Sequence, residues 1–109
     1  MNSLVERVVA FRNERNWGQY HNPKDLALAL SVEAAELLEN FQWKSSDEAV
    51  REKRVAIEDE LGDVLIYALF LCHAMGIDPA DAVLNKLDKN AVKYPVEKAY
   101  GSNKKYTEF

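Results

Sequence analysis

Apolar positions in this chain recur at three- and four-residue spacing almost from end to end, and no segment alternates with the two-residue period of a strand. Each periodic stretch is preceded by a start signal. "SLVE" offers Ser3 as N-cap and Glu6 as its capping-box partner, which predicts a first helix to about Arg15. "NPKD" places Asn22 at the cap, Pro23 at the first helical position and Asp25 at the third, which predicts a second helix to about Phe41. "SSDE" offers Ser45 with Glu48 and opens one long third helix that stops at Gly76. "DPAD" repeats the second signal with Asp78, Pro79 and Asp81, opening a fourth helix that Pro95 terminates. The stretch after Pro95, "VEKAYGSNKKYTEF", is polar, basic and poorly periodic, so an irregular tail is expected over about 96–109. Short loops and the absence of repeats or linkers predict one domain over 1–109, an all-α antiparallel bundle of four main helices.

Turned by about 100° per residue, the second helix gathers Leu26, Ala29, Leu30, Glu33, Glu36, Leu37 and Asn40 in one arc. The third gathers Ala56, Ile57, Glu60, Asp63, Val64, Tyr67 and Leu71. Both arcs are the core-seeking faces, yet each carries a pair of carboxylates three residues apart, standing side by side one turn apart. Glu39, Glu58 and Asp59 fall off these arcs and are expected to face water. An antiparallel hairpin of the two helices would bring the pairs to one level, so that four carboxylates converge inside a bundle.

Composition narrows what such a cluster can be for. The chain has 109 residues, 48% of them apolar and 10% aromatic, enough for a modest core and too apolar for a disordered chain. A net charge of −4 argues against a general nucleic-acid binder, which needs a dominant basic field. The one cysteine, Cys72, lies in an apolar run and has no partner for a disulfide or a thiolate zinc site, which suits a reducing cytoplasm. "MNSLVERVV" lacks a signal-peptide core, and the longest apolar run, residues 64–75, is too short to span a bilayer. A cytoplasmic protein with no membrane partner is expected.

Like charges so close in a low dielectric repel strongly unless protonated or paired with a cation. No arginine or lysine shares the arc at that level. A hard divalent ion is the natural counter-charge, and Mg²⁺ suits a carboxylate and water shell that also takes phosphates. One E-x-x-E pair is ordinarily a solvated face; two pairs on two apolar arcs are not. Gly62, costly inside a helix, implies that something approaches closely there. Di-iron bundles use Glu-x-x-His pairs, and neither His21 nor His73 lies three residues after a glutamate, so redox iron is disfavoured.

The fourth helix carries Lys86, Lys89, Asn90 and Lys93 on one stripe flanked by Tyr94, either a solvated lysine face or a set of phosphate and sugar contacts. Trp17, Tyr20, His21, Phe41 and Trp43 cluster at the ends of the second helix, as core anchors or as rings that sandwich a base. The run 64–75 is apolar all round, so its outward face is expected to be covered by a second subunit.

"EAAELLENFQW" followed by "EDELGDVLIYALFL" looks like the MazG-like nucleoside triphosphate pyrophosphohydrolase family, of the all-α NTP pyrophosphatase superfamily, with its E-x-x-E and E-x-x-D signature. Within that family the chain is most similar to the dCTP pyrophosphatase type. The likeness runs from about Phe11 to Glu108 and includes "FQWK", "DVLIY", "AVLNKLDKNAVKYP" and "KKYTE". The resemblance implies a helical fold, usually a homotetramer, and Mg²⁺-dependent cleavage between the α and β phosphates of a dNTP such as dCTP, giving a nucleoside monophosphate and pyrophosphate. It carries the metal ligands onto Glu33, Glu36, Glu60 and Asp63, phosphate and sugar contacts onto Lys86, Asn90, Lys93 and Tyr94, and base contacts onto Trp17 and Trp43. It also implies that "KKYTE" helps close a site, in the same or a neighbouring subunit. Where mammalian relatives have a pocket histidine this chain has Val8, which leaves the base preference open. Among the carboxylates Glu33 is assigned as general base on the attacking water. Rival readings are hydrolysis of dUTP or phosphoribosyl-ATP, and a non-catalytic helical oligomerisation module whose acids bind a structural cation.

Overall fold

The computed structural model describes residues 2–109 and contains no strand among them. In chain order the elements are α1 (Asn2–Glu14), a 3-10 turn at Trp17–Tyr20, α2 (Pro23–Glu39), α3 (Ser46–Glu52), α4 (Arg54–Met75), α5 (Pro79–Lys93), α6 (Val96–Ala99) and a 3-10 turn at Tyr106–Glu108. Three of the start signals act as read. The N–H of Asp25 donates to Asn22 Oδ1 at 2.9 Å, that of Glu48 to Ser45 Oγ at 3.2 Å, and that of Asp81 to Asp78 Oδ1 at 3.0 Å. Each bond satisfies one of the orphan donors that a helix start leaves. Gly76 closes α4 in the left-handed region at φ 65, and the N–H of Ile77 turns back to the Cys72 carbonyl at 2.8 Å.

Three expectations need correction. Ser3 lies inside α1, which begins at Asn2, so the Ser3–Glu6 capping box does not form; Met1 is outside the described residues. The single long third helix is two helices, α3 and α4, joined at Lys53 with φ −118 and ψ 23. The cause lies in the polarity of Ser46–Glu52, whose one fully buried side chain is Ala49. α3 does not prolong α4, and Lys44 Nζ donates to Glu52 Oε2 at 2.6 Å, tying the end of α3 to the preceding turn. The tail, finally, is not irregular throughout. Pro95 restarts a short helix, and Tyr94 packs edge-on against Tyr106 and Phe109, both at 5.9 Å between centroids.

Contacts divide the chain into two compact units, Met1–Ile77 and Asp78–Phe109. In the first, α2 and α4 form the principal packing and run antiparallel. His21, just before α2, meets Phe70 in a tilted ring contact at 4.6 Å; Glu33 and Glu36 meet Glu60; and Asn40, at the end of α2, shares a groove with Lys53 and Ala56. Leu26, Leu69, Phe70 and Ala49 are its fully buried apolar side chains among the described residues, and α1 packs against α4. The second unit is built on α5, an amphipathic helix whose apolar stripe Val83, Leu84 and Leu87 is exposed in the single chain. No single helix among the described residues is long and apolar enough to cross a membrane.

Candidate functional site

Burial along α2 follows the arc read from the sequence. Leu26 is buried, Ala29, Leu30, Glu33, Glu36, Leu37 and Asn40 are half-buried, and the rest of the helix is exposed. On α4, Ala56, Ile57, Glu60, Asp63, Val64, Tyr67 and Leu71 are likewise half-buried, while Glu58 and Asp59 face solvent, as does Glu39 on α2. The three-residue spacing on α2 sets Glu33 and Glu36 one turn apart, and the antiparallel partner brings Glu60 between them. One carboxylate oxygen from each of Glu33, Glu36 and Glu60 lies within 4.8 Å of the others. Asp63 is outside this tight trio, although its charge is felt at Glu33.

The electrostatics of the trio are unfavourable as they stand. Two unit charges 4 Å apart repel by about 4 kcal/mol at an effective dielectric of about 20. Glu33 Oε2 and Glu60 Oε2 are withdrawn from solvent with no hydrogen-bond partner, the condition that makes a polar atom expensive to bury. Burial raises the pKa of Glu33 to about 7, with the adjoining carboxyl groups of Glu60 and Glu36 and the charge of Asp63 adding to the rise. Near neutrality Glu33 therefore holds a proton part of the time. A divalent cation among these oxygens would replace that proton and satisfy the two orphaned atoms; the donor set is all-oxygen, as hard ions require.

Beside the trio a groove of about 490 Å³ is lined by Glu36, Glu39, Asn40, Lys53, Ala56, Asp59 and Glu60. Glu39 and Asp59, expected only to face water, form part of its wall. Asn40 points its amide back to the carbonyls of Glu36 and Leu37 at 3.3 and 3.4 Å, which closes the end of α2. Lys53 is the residue that sequence reasoning missed: seven residues before Glu60 it lies on the same arc, but two turns from the level at which the carboxylates meet. The polar run Ser46–Glu52 was the available signal that the helix would break. Nothing lies within 4 Å of where a Cβ would sit on Gly62, so the close approach expected there does not occur within the chain.

The aromatic residues flank the same helix. Trp17, in the 3-10 turn, is 45% exposed and packs edge-on against Phe11 at 5.8 Å, with the Arg15 guanidinium 3.6 Å over the Phe11 ring. Burial, and then the charge of Arg12, lower the pKa of His21, whose Nδ1 is also buried without a partner. Trp43 is 93% exposed and stands at φ 63, a left-handed backbone that costs a non-glycine residue about 1–2 kcal/mol.

In the second unit, Lys86 and Asn90 border a shallow recess of about 390 Å³ with Ala82, Val83 and Leu87. Tyr94 ends α5, its N–H donating to the Asn90 carbonyl at 2.8 Å, and Lys93 Nζ lies 4.9 Å over the Tyr106 ring. These four residues thus stay together on one unit, and the carboxylates on the other.

A profile of the MazG-like family matches residues 28–109. The dCTP pyrophosphatase 1 of Mus musculus is 44% identical over 103 residues, covering 90% of this chain and 61% of that protein, and the Homo sapiens dCTP pyrophosphatase 1 gives the same values. The chain therefore spans about three fifths of the length of the curated relatives it matches. A pyrophosphatase from Archaeoglobus fulgidus, known from its crystal structure, is 47% identical with a TM-score of 0.82, covering 87% of this chain and 92% of its own.

Proposed function

The chain belongs to the MazG-like family, and from that premise we propose that it is a Mg²⁺-dependent nucleoside triphosphate pyrophosphohydrolase. Its substrate is dCTP or a related dNTP, and its products are the nucleoside monophosphate and pyrophosphate. The observation that carries this reading is the trio Glu33, Glu36 and Glu60, three carboxylates within 4.8 Å with two buried oxygens unpartnered. Together with Asp63 they would hold the cation, which supplies the positive charge that neutralises the phosphates as the anhydride breaks. Within this set Glu33, which both Glu36 and Glu60 adjoin, is the carboxylate assigned to take the proton of the attacking water.

Trp43, exposed and held out by its backbone, and Trp17, half in solvent, offer their faces to the base. Lys86, Asn90, Lys93 and Tyr94 are the phosphate and sugar contacts. The relatives named dCTP pyrophosphatase 1 support the choice of base, and Val8 is the position at which this chain departs from them. Leu28, Val32, Leu61 and Leu65, all large, apolar and exposed on α2 and α4, support a homo-oligomer, a tetramer in this reading; the cytoplasm is its proposed setting, in keeping with the single free cysteine.

Incubating the purified chain with a panel of dNTPs and Mg²⁺, and assaying pyrophosphate, tests the activity. Release of pyrophosphate, fastest from dCTP, is expected. Release of orthophosphate alone, or of nothing, would return the trio to a structural cation site in an oligomerisation module.

A further inference from the structure

Lys53, at the junction of α3 and α4, falls on the arc of Glu60 and borders the groove beside the carboxylate trio. We propose that Lys53 is a positioning residue that receives the pyrophosphate end of the substrate, a reading that rests on the pyrophosphohydrolase function above. Glu36 and Glu60 belong both to the carboxylate trio and to the wall of the 490 Å³ groove, so the groove opens directly from the proposed reaction site. Lys53 precedes Glu60 by seven residues on nearly the same helix axis, two turns or about 10 Å. That is a distance which a polyphosphate chain and a lysine stem cover together. Glu36, Glu39, Asp59 and Glu60 make the remaining charge on the wall negative. A triphosphate entering it needs a positive group beyond the carboxylate end, and Lys53 is the one cation among the described residues that line it.

The ammonium also forms no ion pair within 4 Å among the described residues, although its charge is felt at Glu52. Arg51 reaches Glu52 at 3.9 Å, Arg54 donates to Glu58 at 3.0 Å and Lys44 to Glu52 at 2.6 Å, so the neighbouring cations are engaged with carboxylates. Among the described residues Lys53 makes no ion pair, and its side chain makes no cap bond at the start of α4. Four carboxylates in one groove with an unengaged lysine among them is the arrangement expected when the lysine's partner is a ligand. Lysine suits that partner, since it meets phosphate as a compact charge on a flexible stem. The competing account is that Lys53 merely lowers the negative potential of Glu39 and Asp59.

The two accounts separate in Lys53→Met and Lys53→Arg, made in the full chain. Losing one charge-assisted phosphate contact should raise KM for the triphosphate about tenfold and leave kcat within about twofold. Inorganic pyrophosphate, followed by calorimetry, should bind more weakly by the same factor. The nucleoside monophosphate, which lacks the β and γ phosphates, should bind as to wild type, the melting temperature should hold, and Lys53→Arg should restore most of the loss. An active wild type alongside a Lys53→Met whose KM and pyrophosphate affinity are unchanged overturns the assignment alone. So does equal weakening of the monophosphate, the mark of a general potential. A wild type that releases no pyrophosphate removes the parent function and this inference with it.

Discussion

Between α2 and α4, three carboxylates sit among packed apolar side chains, whereas four residues past the end of α2 an indole stands 93% exposed in water. One region puts charge inside; the other puts a large apolar ring outside, on a left-handed backbone at φ 63. Both choices work against folding, the first through desolvation and like-charge repulsion, the second through strain and lost burial. Each is held by what surrounds it: the trio by the α2–α4 packing, the indole by the turn between Asn40 and Lys44, whose N–H donates to the Phe41 carbonyl at 3.2 Å. A chain that only had to fold would place neither group so, and local rules broken without local gain are where function is to be sought. If that is the common cause, removing either feature should cost activity while sparing or raising stability.

The trio should show the larger effect. Glu60→Gln keeps shape and removes one charge from the carboxylates that crowd Glu33. Pyrophosphate release should fall by about 100-fold or more, since charge neutralisation at the phosphates is the main work asked of such a site. The metal-free melting temperature should stay level or rise, because one of several unpaired like charges is gone. A melting temperature several degrees lower, with activity intact, would mean that Glu60 serves the packing.

The same crowding sets a pH dependence. The Glu33 carboxyl has a pKa of about 7 in the folded metal-free chain against an ordinary 4.5. Between those values the folded chain binds more protons than the unfolded one, so stability falls as pH rises. The contribution is whole below about pH 4.5 and is lost through about pH 7. Glu52 works in the opposite sense, because Lys44 lowers its pKa, but its effect lies below the ordinary carboxylate range. Mg²⁺ competes with the proton on Glu33, so its stabilising effect should grow across the same window and its binding should release protons. Melting curves from pH 5 to pH 8, with and without Mg²⁺, should therefore diverge as pH rises. The lowered pKa of His21 works in the opposite sense below about pH 6.5, so metal-free curves that climb above that pH would contradict the raised pKa of Glu33.

These two regions were not equally legible in the sequence. The inward placement of Glu33, Glu36, Glu60 and Asp63 followed from helical period alone, because α2 and α4 are regular over the whole stretch and their apolar arcs had one way to face. Helix starts at Asn22, Ser45 and Asp78 were legible for a similar reason, each cap being a local bond between neighbours. What periodicity cannot register is where an axis changes. Lys53, seven residues before Glu60 on the same arc, was legible as a cation, but the break there comes with no change of period. The left-handed backbone at Trp43 was equally hidden, since tryptophan carries no preference for it. Gly62 misled in the other direction, as helical glycine carries no information about which neighbour, if any, comes close.

The smallest effect, and the one that best isolates the second region, is expected at Trp43→Gly. Glycine adopts φ near 63 without penalty, so the substitution relieves about 1–2 kcal/mol of backbone strain. Against that stands the greater entropy that glycine has in the unfolded chain, about 0.5–1 kcal/mol. Little burial is lost from a side chain that is 93% exposed. The net change in unfolding free energy, read from urea melts, should lie between nothing and a gain of about 1.5 kcal/mol. Trp43→Ala keeps the strain while removing the ring, so it should fall slightly below Trp43→Gly in stability. Both should lose one stacking contact of about 1–3 kcal/mol, raising KM for dCTP about tenfold or somewhat more, with kcat little changed. Equal KM shifts in the two variants, beside a stability difference of the sign given, would separate the ring's part from the backbone's. A loss of more than about 1 kcal/mol in Trp43→Gly, with KM unmoved, would instead make the indole a packing residue and end its likeness to the carboxylate trio.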